Sequence, residues 1–330
     1  MQPLIFEQTS MDTRVTITLY SNDAGENKSV GGGNGGKTEK SVEKAFMVFK
    51  DLEKQFSLFK ADSEICLVNG KAGEVTSVSP LFLDVLDYAL GFAEKSEGAF
   101  NPLVGAFTPG FQRNYESFPE IKTSEDLAAF EQIVVNKEKS TVLLPKNAAL
   151  DLNSVIKGLA IDLAMDCFEE PAVMIEAGGD IRVKGTPPNK KNWDVGIRDP
   201  KNPTKLITVL HIIDAAICTS GNYFRKEKLA DEGKLHLVNA AAHLASQAAP
   251  QANRANSNPA NSPNQENELS SVTVVAPTAK MADVLSTAIF FMPVESAILF
   301  IEKFEGCSCL LIDNKNELYM SPKMRAYFQP

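Results

Sequence analysis

The sequence predicts an α+β fold of mixed, largely antiparallel sheets with packed helices, and not a doubly wound parallel sheet. Two observations lead there. Strand-like runs follow one another with only short turns between them, as in "AVMIEAGGDIRVKG", where Gly178-Gly179 marks the tight bend of a hairpin. Helical and strand-like patterns also alternate in no fixed order, and no internal repeat is visible.

Each element has its own signal. "TRVTITLY" (Thr13–Tyr20) sets Val15, Ile17 and Leu19 against threonines, the alternation of a strand with one dry face. A polar stretch and "GGGNGG" follow; because no strand leads directly into these glycines, they read as a flexible connector, residues 22–40, and not as a phosphate cradle. From Ser41, Val42, Phe46, Phe49, Leu52 and Phe56 fall at helical spacing and belong to the core. Ser79-Pro80 is an N-cap with proline at the first helical position, and the helix it opens runs to Gly98. "GAFNPLVGAFTPGF" is too rich in glycine and proline for regular structure.

Short strands are expected at "QIVVN" and "TVLLP", then a helix from about Asn153 to Glu169. "WDVGIRDP", "LITVLHIID", "AAICTSGNYFRK" and "LHLVN" extend the antiparallel region, with Trp193 packing at a strand start and His211 a satisfied core histidine. Residues 239–271 collapse into Ala, Asn, Gln, Ser and Pro, a long low-complexity insert expected to be mobile because it cannot bury enough apolar area to offset its ordering entropy. The pattern resumes with strand "SVTVVAP", helices "AKMADVLSTAIFFM" and "ESAILFIEKF", and a closing hairpin "CSCLLIDNKNELYMS".

Composition excludes several functions. Of 330 residues 44% are hydrophobic and 23% charged, the profile of a globular protein, and the net charge of −9 argues against a nucleic-acid or anionic-membrane surface. No stretch approaches a membrane span, and the first residues show neither a signal peptide nor a lipid-modification cysteine. The expectation is therefore a cytoplasmic protein, or a periplasmic one if the chain is a mature form. Five irregularly spaced cysteines imply neither a disulfide framework nor a zinc site, but buried thiols.

Two segments carry chemistry. In "DLNSVIKGLAID" oxygens crowd a helix start at Asp151, Asn153 and Ser154, with Lys157 and Gly158 one turn on. In "MADVLSTAI", Asp283 and Thr287 lie four apart on an otherwise apolar helix. The bland reading of that pair is a carboxylate near a helix start and a threonine bonded back to the i−4 carbonyl. Taken with the first segment, an oxygen-only donor set suits a hard cation such as Mg²⁺, and free N–H groups at a helix start suit a phosphate. Gly158 would admit a ligand to the backbone and Lys157 would supply a point charge, together a site for a metal-bound pyrophosphate.

The ordered set of motifs resembles the FAD:protein FMN transferases, the ApbE flavin-transferase family. "MDT" (Met11–Thr13) is similar to its leading Met-Gly-Thr, and "FSLFKADSEICLVN" to its Ser-x-Tyr…Ser-Glu…Asn segment. "GAFNPLVG" is similar to Gly-Ala-Phe-Asp-Pro-Thr-Val-Gly, and "DLNSVIKGLAID" to Asp-Leu-Gly-Gly-Ile-Ala-Lys-Gly-x-x-x-Asp. "EAGGDIRVKG", "TSGNY", His236 and "ADVLSTA" complete the order. The resemblance spans nearly the whole chain apart from connector and insert, and so implies a single ApbE-like domain over residues 1–330.

It also implies an activity: Mg²⁺-dependent transfer of the FMN moiety of FAD to a threonine hydroxyl of an acceptor flavoprotein bearing a Ser/Thr-Gly-Ala-Thr-type motif, with release of AMP. By resemblance Met11, Phe59, the backbone of Ala99, Phe100 and Asn101, Asp151 and Lys157 line the FAD. Ser154, Asp283 and Thr287 hold the metal, and His236 and Lys157 are the catalytic candidates. Asp162 and Asp180 match family positions but could serve only to cap or brace loops. The chain departs from the pattern at Asp12, Phe59, Asn101 and Leu103, and "NAAAHLAS" after His236 replaces an Asp-Pro-x-Thr-Gly turn. Two alternatives therefore stand beside the transferase: a Mg²⁺-dependent FAD pyrophosphatase giving FMN and AMP, and a non-catalytic FAD-binding protein.

Overall fold

The computed structural model describes residues 2–20, 36–107, 129–221 and 269–329. His236, "LHLVN", connector residues 22–35 and insert residues 239–268 lie outside the described residues.

Eight strands form one antiparallel sheet: β1 (Leu4–Ser10), β2 (Thr13–Tyr20), β6 (Ala172–Ala177), β7 (Asp180–Lys184), β10 (Ala216–Gly221), β11 (Leu269–Ala276), β12 (Ser308–Asp313) and β13 (Leu318–Met320), in that spatial order. Alternation along the central strands gives the sheet two dry faces. Val173, Ile175, Cys218, Val274, Cys309 and Leu311 turn to one side, where they meet α1 (Lys37–Phe56), α3 (Pro80–Lys95), α4 (Asn153–Met165), α5 (Ala279–Phe290) and α6 (Val294–Ile301). Ile181, Val183, Ile217, Val275, Leu310 and Ile312 turn to the other, covered by the ribbon β8 (Trp193–Asp199) with β9 (Asn202–Ile212) and a C-terminal 3-10 helix, Pro322–Phe328. A small sheet of β3 (Val75–Ser77), β5 (Thr141–Leu143) and β4 (Val134–Asn136) and the short α2 (Glu64–Gly70) complete the described chain.

The expected α+β architecture is present, with local differences. β1 was not anticipated: its inward and outward residues are both part-apolar, so it shows little alternation, and it gains its place by pairing with β2 through the turn at Met11-Asp12. Helix α1 starts at Lys37, inside the stretch read as connector, because Glu39 folds back onto the N–H of Gly36 (2.8 Å) and closes the first turn. Strand β11 starts at Leu269, inside the stretch read as insert, by pairing with Asp313 of β12. The predicted Ser79 cap is present, its hydroxyl accepting from the N–H of Phe82 (3.2 Å). Helix α4 stops at Met165, four residues short of the expected end, before the chain turns into β6.

The loop read as irregular contains a 3-10 helix, Pro102–Phe107, started by the Asn101 carboxamide oxygen accepting from the N–H of Leu103 (2.9 Å). Trp193 is buried, its indole N–H on the Gly185 carbonyl. His211 is satisfied, but by Asp194 across the ribbon (2.8 Å) and at its flank instead of in the core. None of the five cysteines forms a disulfide, and all but Cys167 are buried. Among the described residues no helix is long and apolar enough to cross a membrane.

Candidate active site

Most of the singled-out motifs gather at one end of the large sheet. The β1–β2 turn puts Met11 and Asp12 there, the β6–β7 turn adds Gly178 and Gly179, and β10 arrives at the same end with Thr219, Ser220 and Gly221. The register makes these motifs neighbours: Val15 pairs with Ala177, and Gly178 packs so closely on Thr13 that a Cβ there would lie 2.8 Å from the threonine hydroxyl. Asp180 opens β7, and its carboxylate accepts from the N–H of Thr219 (3.1 Å) on the neighbouring strand.

Helix α4 reaches this end because its approach is pinned. The buried Asn69 side chain pairs with the backbone of Leu150 in both directions, accepting at 2.8 Å and donating at 3.0 Å. Asp151 then donates its N–H to the Pro102 carbonyl (2.8 Å), which ties the start of α4 to the Asn101–Pro102 segment. The Asp151 carboxylate accepts from the N–H of Asn153 (2.9 Å), ordering the first turn in the absence of a capping side chain at Leu152. Three motifs distant in sequence thus converge on the N-terminus of α4.

Gly158 explains how α4 meets α5. A Cβ at this position would lie 2.5 Å from the Ala279 carbonyl oxygen and 2.6 Å from Lys280 Cα, so the two backbones cross where only a hydrogen fits. The expectation that Gly158 admits a ligand is thereby corrected: the backbone that approaches it is helix α5. Asp162, one turn further along α4, secures the crossing by accepting the N–H groups of Ala279 (2.8 Å) and Lys280 (2.9 Å) and the guanidinium of Arg182 (2.8 Å). Its role is the bracing one.

This crossing brings Asp283 against α4. Its carboxylate, 4% exposed, lies beside the Gly158 backbone, and one oxygen, Oδ2, has no hydrogen-bond partner. Burial pushes its pKa above the ordinary carboxylate value; the Lys157 ammonium opposes that rise and the nearby Asp180 charge adds to it. Lys157, a third exposed, is ion-paired with Asp180. Burial works against its charged form, but the carboxylates of Asp180 and Asp283 outweigh it and hold the pKa above the usual lysine value. An incoming anion therefore meets a lysine already partly neutralised, not a lone point charge.

Thr287 lies one turn after Asp283, and its hydroxyl stands 3.4 Å from that of Ser220. The back-bond to the Asp283 carbonyl is made by Ser286 (3.0 Å), so the bland account of the Asp283–Thr287 pair does not describe this helix. Ser154 lies one turn before Gly158 on α4, half-buried. Among the described residues no group of three or more His, Cys, Asp or Glu side chains forms a metal cluster, so a cation here would depend on hydroxyl oxygens beside one carboxylate.

The remaining predicted residues differ in their exposure. Phe59, in the turn after α1, is 55% exposed. Met11 is part-buried against the core with positive φ (53°). Ala99 and Asn101 are half-buried, whereas the Phe100 side chain belongs to the core and its N–H is taken by Ser96 (3.0 Å), leaving a ligand at most its carbonyl. Sequence reasoning missed Ser220 and Ser286, whose hydroxyls meet at 2.8 Å beside Thr287, because serines on a strand and a helix carry no chemical signature until their elements pack.

A family model described as the ApbE family matches residues 11–311. A protein of Haemophilus influenzae named FAD:protein FMN transferase is 27% identical over 297 residues, covering 84% of this chain and 80% of its own. Its namesake in Treponema pallidum is 26% identical over 300 residues, covering 82% and 76%. Among solved structures, the ApbE protein of Thermotoga maritima superposes with a TM-score of 0.77 at 22% identity over the whole of both chains. The flavin transferase ApbE of Vibrio cholerae superposes with a TM-score of 0.73 at 21% identity over 99% of each. At these identities the structural likeness speaks for the fold, and the matched motifs lie at the sheet end described above. On the strength of the family match the chain belongs to the ApbE family.

Proposed function

We propose that this protein transfers the FMN moiety of FAD to a threonine hydroxyl of a partner protein and releases AMP. The observation that carries the reading is the convergence of Asp283, Lys157, Asp180 and the start of α4 at one sheet end, in a chain of the ApbE family. A buried carboxylate oxygen with no partner, one helical turn before the Thr287 hydroxyl, has the chemistry of a hard-cation ligand. In this reading Ser154, Asp283 and Thr287 hold Mg²⁺, which when bound neutralises pyrophosphate charge and polarises phosphorus.

The protein's own residues do the rest. Met11, Phe59, the backbone of Ala99 to Asn101, Asp151 and Lys157 bind and orient FAD, with Phe59 offering an aromatic face to a flat ring. Asn101 keeps the acceptor oxygen that starts its 3-10 turn, so the change from the family's aspartate removes a charge and not that turn. The Asp180 carboxylate fixes the Lys157 ammonium, and Asp162 fixes helix α5, so that Asp283 needs little reorganisation when charge develops. The acceptor threonine oxygen forms a bond to the FMN-side phosphorus while the bond from that phosphorus to the bridging oxygen breaks. The bridging oxygen leaves with AMP, and the hydroxyl proton passes to a base, for which His236 is the candidate. The chain carries no Ser/Thr-Gly-Ala-Thr motif of its own, which favours a separate acceptor.

The test is incubation of the purified protein with FAD, Mg²⁺ and an acceptor domain bearing that motif. Covalent flavin fluorescence on the acceptor together with AMP is the expected result. Free FMN and AMP without labelling would establish the pyrophosphatase instead, and bound, unchanged FAD would establish a non-catalytic flavin binder.

A further inference from the structure

Glu53 belongs to no motif, and its sequence context is an ordinary helix surface. In the fold its carboxylate reaches two separate segments, the β1–β2 turn and the loop after α1. One oxygen accepts from the Ser10 hydroxyl (2.7 Å) and the Met11 N–H (2.9 Å), and the other holds the Lys60 ammonium (2.9 Å). Ser10 ends β1 and Met11 opens the β1–β2 turn, where Met11 and Asp12 both take positive φ (53° and 56°), a conformation that strains non-glycine residues. Lys60 directly follows the exposed Phe59. A single side chain therefore ties the strained turn carrying Met11 to the loop carrying Phe59.

We infer that Glu53 is a positioning residue that sets the slot between Met11 and Phe59 for the flat ring system of the flavin. The inference rests on the reading that these two residues line FAD. A fixed slot lowers the ordering cost of binding at the ring end of the ligand and leaves the adenosine end untouched. Burial works against the Glu53 carboxylate, but the hydrogen bonds from Met11, Lys60 and Ser10 outweigh it and lower its pKa to about 2, so the clasp stays ionised at any working pH.

The test compares ring-bearing and ring-free ligands. Affinities for FAD, riboflavin and ADP, measured by fluorescence and calorimetry, are compared for the unaltered protein, Glu53→Ala, Glu53→Gln and Lys60→Met, with thermal melts run beside them. The expected result is a loss of about tenfold for FAD and riboflavin in Glu53→Ala, less in Glu53→Gln and Lys60→Met, and no change for ADP. Equal losses for FAD and ADP would make Glu53 a merely structural residue and overturn the inference, as would unchanged FAD affinity in all three variants. If Glu53→Ala does not fold, Lys60→Met alone decides by the same comparison. Failure of the unaltered protein to bind FAD while it binds ADP would sink the flavin reading itself, and the slot with it.

Discussion

Replacing Gly158 by alanine sets two effects of opposite sign against each other. On an isolated helix the change is favourable by about 1 kcal/mol, because glycine is a poor helix former. Here the new methyl would sit 2.5 Å from the Ala279 carbonyl oxygen and 2.6 Å from both the Ala279 carbonyl carbon and Lys280 Cα. Ordinary contact begins near 3.4 Å, so α4 and α5 must part by about 0.9 Å. All three obstructing atoms are backbone, and no rotamer change relieves them. Nor can α5 retreat freely: Asp162 holds its first two N–H groups, and the Cys218 thiol of β10 lies 3.5 Å from the same Ala279 carbonyl. Overpacking of this kind costs about 1–3 kcal/mol, which after the helix gain leaves a net destabilisation of up to about 2 kcal/mol. Urea denaturation measures it, and flavin transfer should fall more steeply than stability, because the displaced helix moves Asp283 away from Lys157 on α4. A variant as stable as the parent, with full activity, would show that the helices do not cross at this glycine.

Two further outcomes are expected. Asp283→Ala should abolish the Mg²⁺-dependent step while changing stability by no more than about 1–2 kcal/mol, because an oxygen without a partner contributes little to the fold; retention of activity would remove Asp283 from the metal site. For Glu53 the folded pKa of about 2 lies below the ordinary 4.5, so its contribution is complete above pH 4.5 and is lost as pH falls from there towards 2. The shift corresponds to about 3 kcal/mol at most, and to about 1–2 kcal/mol after solvent screening, since the side chain is 24% exposed. The stability difference between parent and Glu53→Gln should therefore shrink over that acid range, and a difference independent of pH would contradict the hydrogen-bonded carboxylate.

Much of the fold was legible because its signals are local. The alternation of Val15, Ile17 and Leu19, the Ser79-Pro80 cap and the helical spacing of Phe46, Phe49 and Phe56 each depend only on neighbours along the chain, and all are borne out. What was missed depends on partners. Strand β1 lacks a strong pattern and is defined by its register with β2. The 3-10 turn after Asn101 forms in a stretch whose composition argues for none. The sequence marks Gly158 as a point of close approach but not what approaches it, since nothing in "VIKGLAID" says which backbone comes close.

The same division holds at the site. The types of group were fixed by sequence: oxygen donors without histidine or thiolate, a lysine and glycine near a helix start, and a carboxylate and hydroxyl four residues apart on a buried helix. Tertiary structure alone decided that Lys157 pairs with Asp180, that Asp162 braces α5, that Asp283 keeps one buried oxygen without a partner, and that Glu53 joins the β1–β2 turn to Lys60. Chemical capacity belongs to a side chain and travels with it. Charge state, unmet hydrogen bonds and distance belong to the space between elements, which comes into being only when a long chain has brought them together.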